Sequence, residues 1–525
     1  MSKTPNMRKL MLILVLACAA ILSNPQPVNS AEKAAGSTAK SEWVYPGKDG
    51  KLIYKTTPAG DKIMDFSHAG YMGGGVKLPE VPVVLTVSPG GLDDAATIQD
   101  AIDKVAGLPL VKGFRGVVLL KAGTYHCSKS LTIQESGIVL RGSGSGADGT
   151  MLNLTGEPHT AIAVKGARQK VESGKSASIT DAYVPSGTTS FHVPDGSAFA
   201  IGDKIRISRP VTEAWVHFMG MDTLVRDGKK QTWIAGETVT IRTIRKIEKN
   251  EITVDVPLTD SYDAQFLSPK GATVTMINLT GEISQIGIEN LLLVSAPKVV
   301  TINDKSNKAF SISNAADVWL RNIEIVNTVN SVSINANRVT LEQVNIRHTV
   351  ATEGAAKPAD FAASGSQILF SRCKVQGDNL FFFATGARVS GPIVLLHCVF
   401  NGKGWIQPHQ RWSTGVLVDN CQVPDGGIDF MNRGVMGSGH GWTIGWAVAW
   451  NCTAKRFINQ QPPGSYNWMI GCAGDREKGA VPFSKFPLLP EGIYDAHGTP
   501  VTPASLYLTQ LAERLGNQSV KNIGY

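Results

Sequence analysis

The sequence predicts an all-β fold wound as a parallel solenoid, and three observations carry that expectation. A strand-like phase recurs through the second half: Leu291, Ile323, Val344, Cys373, Cys398, Cys421, Cys452 and Cys472 each close a short run such as Leu320-Arg321-Asn322-Ile323 or Trp450-Asn451-Cys452. The gaps are 32, 21, 29, 25, 23, 31 and 20 residues. A period of roughly 20–30 residues, with a strand at constant phase and loops of unequal length, marks coils stacked along one axis. The chain has 525 residues, more than the roughly 250–300 at which one compact core stops growing. It is therefore elongated or multidomain. Its composition, 42% hydrophobic and 18% charged with 54 glycines and no heptad runs, excludes both disorder and coiled coil. A net charge of +8 admits an anionic partner without pointing to nucleic acid.

In chain order, residues 1–30 read as a secretory signal peptide. Arg8 and Lys9 precede the apolar run Leu10–Leu22, and a small-residue exit ends near Ser30. The run is too short to span a membrane, and Val15-Leu16-Ala17-Cys18 makes a poor lipidation site. Residues 31–65 read as an N-terminal arm, with a polar linker from Glu32 to about Pro58. Residues 66–170 hold an N-terminal cap and the first coils. Asp93–Val105 is expected as a short amphipathic helix capped by Asp93 or Asp94, because Ile98, Ile102 and Val105 recur at helical spacing. The strands Gly116–Leu120, Leu131–Ile133 and Ile138–Gly142 follow, too closely spaced for helices between them. Residues 171–276 break the rhythm and read as a small all-β insertion, with a loop bearing Trp215, His217 and Trp233. That loop is either a plug against the coils or a wall on which sugars stack. Residues 277–480 are the main coils. Residues 481–525 are a tail whose helix, Ala504–Leu515 before Gly516, suits covering the open edges of the last coil.

The cysteines follow from the register. Five share the inward phase, where stacked side chains point the same way at about 4.8 Å and bridge poorly. We expect buried free thiols. Asn322, Asn420 and Asn451, one position earlier, are expected to form a partial asparagine ladder at the coil corner.

DDAATIQDAI (Asp93–Ile102), GFRGVVLLKAGTYHCSKSLTI (Gly113–Ile133) and SGIVLRGSGSG (Ser136–Gly146) together resemble the opening of the pectate-lyase-like superfamily. The resemblance covers about Leu92–Thr155 and Ile277–Ala473, with specific motifs only at the start. It implies a right-handed single-stranded parallel β-helix acting on a polysaccharide, and does not separate lyase from hydrolase.

Candidate site residues come from two blocks of equal length, His409 to Cys421 and His440 to Cys452. If the cysteines stack, the histidines stack one rung apart. Arg388 and Arg411, each ten residues before its cysteine, share a phase that Trp442 continues. One exposed face should then carry His409, His440, Arg388, Arg411 and Trp442. Trp412, Asn432, Arg433, Asp378 and Trp215 are further substrate-binding candidates. Arginine holds a carboxylate bidentately, histidine moves protons near neutrality, and indoles stack on sugar rings. The same histidines are equally readable as structural corner residues.

Gly377-Asp378-Asn379 and Gly439-His440-Gly441 look similar to the GDD and GHG turns of the polygalacturonase branch, but the second aspartate is missing. An inverting hydrolase needs two carboxyls roughly 6.5–9.5 Å apart. Asp378 and Asp429 are the carboxylates available to calcium, and no dense cluster argues for it. Zinc and phosphate-loop signals are absent. The expected function is a secreted or periplasmic lyase of a uronate-containing polysaccharide, with hydrolase and non-catalytic glycan binder as alternatives. We expect a monomer with no nucleic-acid partner and no membrane insertion.

Overall fold

The computed structural model describes residues 38–168, 170–301, 303–352, 359–482 and 488–525. The signal-peptide expectation and Cys18 lie outside them. The molecule is all-β. From Val83 the chain winds in coils, and each strand pairs in parallel with its equivalent one coil later. Along one face Gly116–Leu120, Ile138–Gly142, Ile283–Ser295, Lys308–Val326 and Val332–Arg347 succeed one another. Ser366–Ser371, Ser390–Leu396, Ser413–Asp419 and Ala447–Trp450 continue the series. A second face runs from Gly123–Cys127 through Lys374–Gln376 to Gln422–Phe430 and Thr453–Asn459. A third carries Ala359–Ala363, Phe381–Thr385 and Trp405–Ile406.

The predicted inward file is present. Leu291 lies opposite Ile323, and Ile323 opposite Val344. The carbonyls of Cys373, Cys398, Cys421 and Cys452 each accept an amide from the next coil. All eight side chains are fully buried in one cluster running the length of the stack. Each such Leu, Ile or Val contributes roughly 1.5–3 kcal/mol by leaving water. The cysteines are free. Their thiols donate to carbonyls of the preceding coil, as Cys452 Sγ does to Val418 O at 3.2 Å, and burial pushes the thiols of Cys373, Cys398 and Cys452 up.

The residue before each file position is left-handed: Asn290, Asn322, Gln343, Arg372, His397, Asn420 and Asn451 have φ between 50° and 56°. Asparagine tolerates that region best among residues with a side chain. The ladder itself is shorter than expected. Asn322 donates to Asn290 Oδ1 at 2.8 Å, whereas Asn420 and Asn451 instead hold the carbonyl of Ala504 in the C-terminal segment.

The polar-linker expectation fails from Ala39 onward. Ala39–Lys40 pairs with Val501–Thr502, and Val44–Pro46 forms a hairpin with Leu52–Tyr54. Trp43, Val44 and Leu52 anchor this arm in an apolar cluster on the flank of the coils. The helix Leu506–Leu515 is in the same cluster, against Leu396, Leu417 and Trp450. It thus lies along the outer flank of several coils instead of over the end of the last one, because those coils carry an outward apolar file that needs cover. The N-terminal helix Ala95–Ala106 buries Ile98, Ile102 and Val105 in the main core.

Residues 170–280 contribute an antiparallel six-stranded sheet: Lys170–Ser178, Thr273–Thr280, Lys204–Pro210, Glu237–Glu248, Glu251–Val254 and Ser190–His192. It has its own core, including Phe191, Ile205, Ile207 and Val274. Trp215 and His217 sit on a short helix, Glu213–Phe218, and not in a loop.

Candidate functional site

Strand alternation builds the floor. Trp405 pairs with Gly427 and Ile406 with Ile428. Ile406 and Ile428 enter the core, so the flanking residues point outward. Gln407 thereby meets Asp429 side chain to side chain, its Nε2 donating to Asp429 Oδ2. The indole of Trp405 lies across Gly427, where a Cβ would stand 2.2 Å from the ring, and meets the Arg456 guanidinium at 4.6 Å.

The strand Gln422–Phe430 runs on into a finger, residues 431–443. Its backbone closes through Arg433 N to Gly441 O and Gly441 N to Gly434 O. Two glycines allow it. Gly437 has φ +58, and a Cβ there would stand 2.2 Å from His440 Nε2. Gly441 has φ +54, and its Cβ would stand 2.3 Å from the Trp233 ring. This finger delivers Arg433 and His440 to His409.

The two imidazoles are adjacent, ring centroids 4.9 Å apart. Arg433 lies between them. Its Nη1 donates to His409 O at 3.0 Å and lies 2.9 and 3.1 Å from His409 Nδ1 and Nε2 and 3.2 Å from His440 Nδ1. A guanidinium only donates, so a ring nitrogen that accepts from it is a lone pair, which favours the neutral form of both rings. Burial, then Arg433, brings His409 down to about 3 and His440 to about 4. Arg433 is itself 3% exposed, and burial lowers its pKa against the pull of Asp429. Burial pushes Asp429 up to about 7, against the Gln407 bond and Arg433. Its Oδ1 has no hydrogen-bond partner among the described residues.

The other predicted residues divide sharply. Arg411 joins the edge of the cluster, donating to Ser438 O at 2.9 Å and Ser438 Oγ at 2.7 Å. Arg388 does not join: its backbone precedes Arg411 by one rung, but its guanidinium turns to the carbonyl of Ala235 in the insertion. Asn432 shapes the finger, accepting from Gly434 N at 2.8 Å. Asp378 is solvent-facing beside Lys403. The exposed tryptophan wall is also corrected. Trp215, Trp412 and Trp442 are 6%, 3% and 2% exposed, packed with Trp233 and Met219 in a plug between insertion and coils. Trp233 and Met219 of the insertion, some 200 residues away in sequence, cover Trp442, so no exposed wall of tryptophan rings stands beside the histidines. Among the described residues no group of three or more His, Cys, Asp or Glu is placed to hold a metal, and no helix is long and apolar enough to cross a membrane.

Sequence reasoning missed Trp405 and Gln407 and underused Asp429. The alternation Trp405-x-Gln407 and Gly427-x-Asp429, repeated at the coil spacing, was the available signal.

No family model and no curated protein matches the chain. Three solved structures illustrate what it is similar to. A tailspike protein of Pseudomonas phage LKA1 is 13% identical, with 73% of this chain and 69% of that one covered, at a TM-score of 0.36. The A-module of a mannuronan C-5 epimerase from Azotobacter vinelandii is 13% identical over 79% of this chain and 76% of its own, at 0.32. A surface adhesin of Streptococcus pneumoniae is 10% identical over 76% and 81%, at 0.33.

Proposed function

We propose that this chain is an exported carbohydrate-active enzyme that cleaves a uronate-containing polysaccharide by β-elimination, on coils of right-handed winding, the hand that parallel crossovers take. The observation that carries the reading is the guanidinium of Arg433 set between two neutral imidazoles, with a carboxyl near neutrality a few residues away. Export follows from residues 8–30 as read above.

The chemistry is written on these groups. Arg433 binds the uronate carboxylate and, by neutralising it, acidifies the proton on C5. His409, half-buried and neutral, takes that proton on the ring nitrogen that Arg433 vacates as its guanidinium turns to the substrate carboxylate. The electron pair left on C5 forms the C4–C5 double bond, the C4–O bond breaks, and the departing oxygen takes a proton from Asp429. Trp405 and Arg456 provide an apolar face and a second cation for the neighbouring sugar.

The hydrolase alternative asks for a second carboxyl at roughly 6.5–9.5 Å. Asp378 lies on the surface beside Lys403, and Asp360 is locked to His348 at 2.7 Å. Neither is hydrogen-bonded to Asp429, whose one side-chain partner among the described residues is Gln407. A screen of acidic polysaccharides separates the readings: near-ultraviolet absorbance of unsaturated uronate supports the lyase, reducing ends without it indicate the hydrolase, and binding without either indicates a glycan-binding protein.

A further inference from the structure

A cavity of about 350 Å³ opens where the insertion meets the coils and the N-terminal arm, lined in part by Trp215 and Trp412 of the tryptophan plug. One wall is aromatic. Phe218 and Phe266 stack at 4.1 Å, Tyr466 adds a third ring, and Phe218 keeps 36% of its surface exposed. The opposite side is polar and fixed. Arg209, 2% exposed, pairs with Asp260 Oδ2 at 3.0 Å and lies 3.9 Å over the Trp215 ring. Asp260 also accepts from the indoles of Trp412 at 2.9 Å and Trp446 at 3.2 Å. Asp61 is held by Thr57, Tyr183 and Ser186. These bonds hold the polar side in one shape before any ligand arrives. Ser465 also lines the cavity, its Oγ packed against Gly445, where a Cβ would stand 2.4 Å away.

We propose that this cavity binds one neutral pyranose unit, a site separate from the His409–Arg433 cluster. Its volume is at the lower end for small-molecule sites, roughly 300–1,000 Å³. A sugar ring offers C–H faces to the aromatic wall and hydroxyls to the polar side. Charge decides against a uronate. Asp61, Asp260 and Asp263 line the cavity with one guanidinium, Arg209, so a second carboxylate would meet net repulsion. The inference goes beyond the lyase reading and does not depend on it.

Saturation-transfer NMR tests it, using methyl glycosides of glucose, galactose, mannose, rhamnose and N-acetylglucosamine, with glucuronate as the charged control. At least one neutral glycoside should saturate through this cavity, whereas any glucuronate signal, arising at the Arg433 cluster, should be unchanged in Phe218→Ala. The neutral-glycoside signal should weaken about fivefold in Phe218→Ala, the scale of one lost aromatic contact, and fall also in Phe266→Ala. It should persist in His409→Ala, which separates this site from the catalytic proposal. Absence of saturation by every neutral glycoside overturns the proposal. So does a glucuronate signal that weakens in Phe218→Ala as much as the neutral one, or a neutral-glycoside signal unchanged in both cavity variants while their melting midpoints match the parent protein.

Discussion

Arg433 sets the protonation of everything around it. Because the guanidinium donates to both imidazoles and the site is buried, His409 and His440 stay neutral far below the ordinary histidine range. A base already unprotonated at pH 5 gives no inflection near 6.5. We therefore predict that kcat/KM is flat from about pH 5 to 6.5 and falls above about 7 as Asp429 ionises; a rise centred on 6.5 would contradict the assignment. Alanine at His409 should cost at least ~10²-fold in turnover. Lysine at Arg433 should be comparably damaging, since an ammonium cannot span both rings. Asp429 supplies a stability test with a definite sign. Its folded pKa, about 7, lies above the ordinary 3.8, so its favourable contribution is complete below pH 3.8 and is lost as pH rises through 7. The amount is on the order of 4 kcal/mol. Asp429→Asn should accordingly raise the melting midpoint at pH 8 and leave it unchanged near pH 4. The histidines act oppositely: their stabilisation is complete above 6.5 and is lost as pH falls towards 4 and 3.

At the scale of elements, the corner between two faces of each coil is a single left-handed residue. Asn322 adds a ladder bond to Asn290. We predict that Asn322→Ala destabilises by about 1–2 kcal/mol from left-handed strain together with the lost bond, and that Asn322→Gly, which relieves the strain, costs less; denaturant melts on both variants check this. The corners also show what could be read from the sequence. The inward file was legible because one apolar or cysteine side chain recurs at a fixed phase, whatever the loop lengths. The equal His-to-Cys blocks made the stacked histidines legible for the same reason. The direction of a long side chain was not. Arg388 and Arg411 share a phase, yet one bonds the insertion and the other the finger, because partners distant in sequence decide where a flexible guanidinium points.

Across the whole molecule, coverage is what periodicity hides. The tryptophans expected to face solvent are sealed by Trp215 and Trp233 from the insertion. The arm that read as linker is pinned by three apolar side chains scattered through a polar stretch, a pattern without period. The C-terminal helix completes the flank: Ser505 and Tyr507 N bond Asp419 at 2.7 Å each. Burial pushes that carboxyl up to about 7. Removing residues 506–525 should lower the melting midpoint markedly, since Leu506, Tyr507 and Leu511 leave the cluster at roughly 1.5–3 kcal/mol each. Thiol titration in denaturant should find Cys127 and the five file cysteines all free. The central claim is that the Arg433 cluster eliminates across a uronate linkage. The most direct measurement is near-ultraviolet absorbance during incubation with a panel of acidic polysaccharides, run in parallel for the parent chain and His409→Ala. The account predicts that absorbance grows with at least one polysaccharide and falls by ~10²-fold or more in a normally melting His409→Ala. No absorbance with any polysaccharide, or equal rates in both proteins, would contradict it.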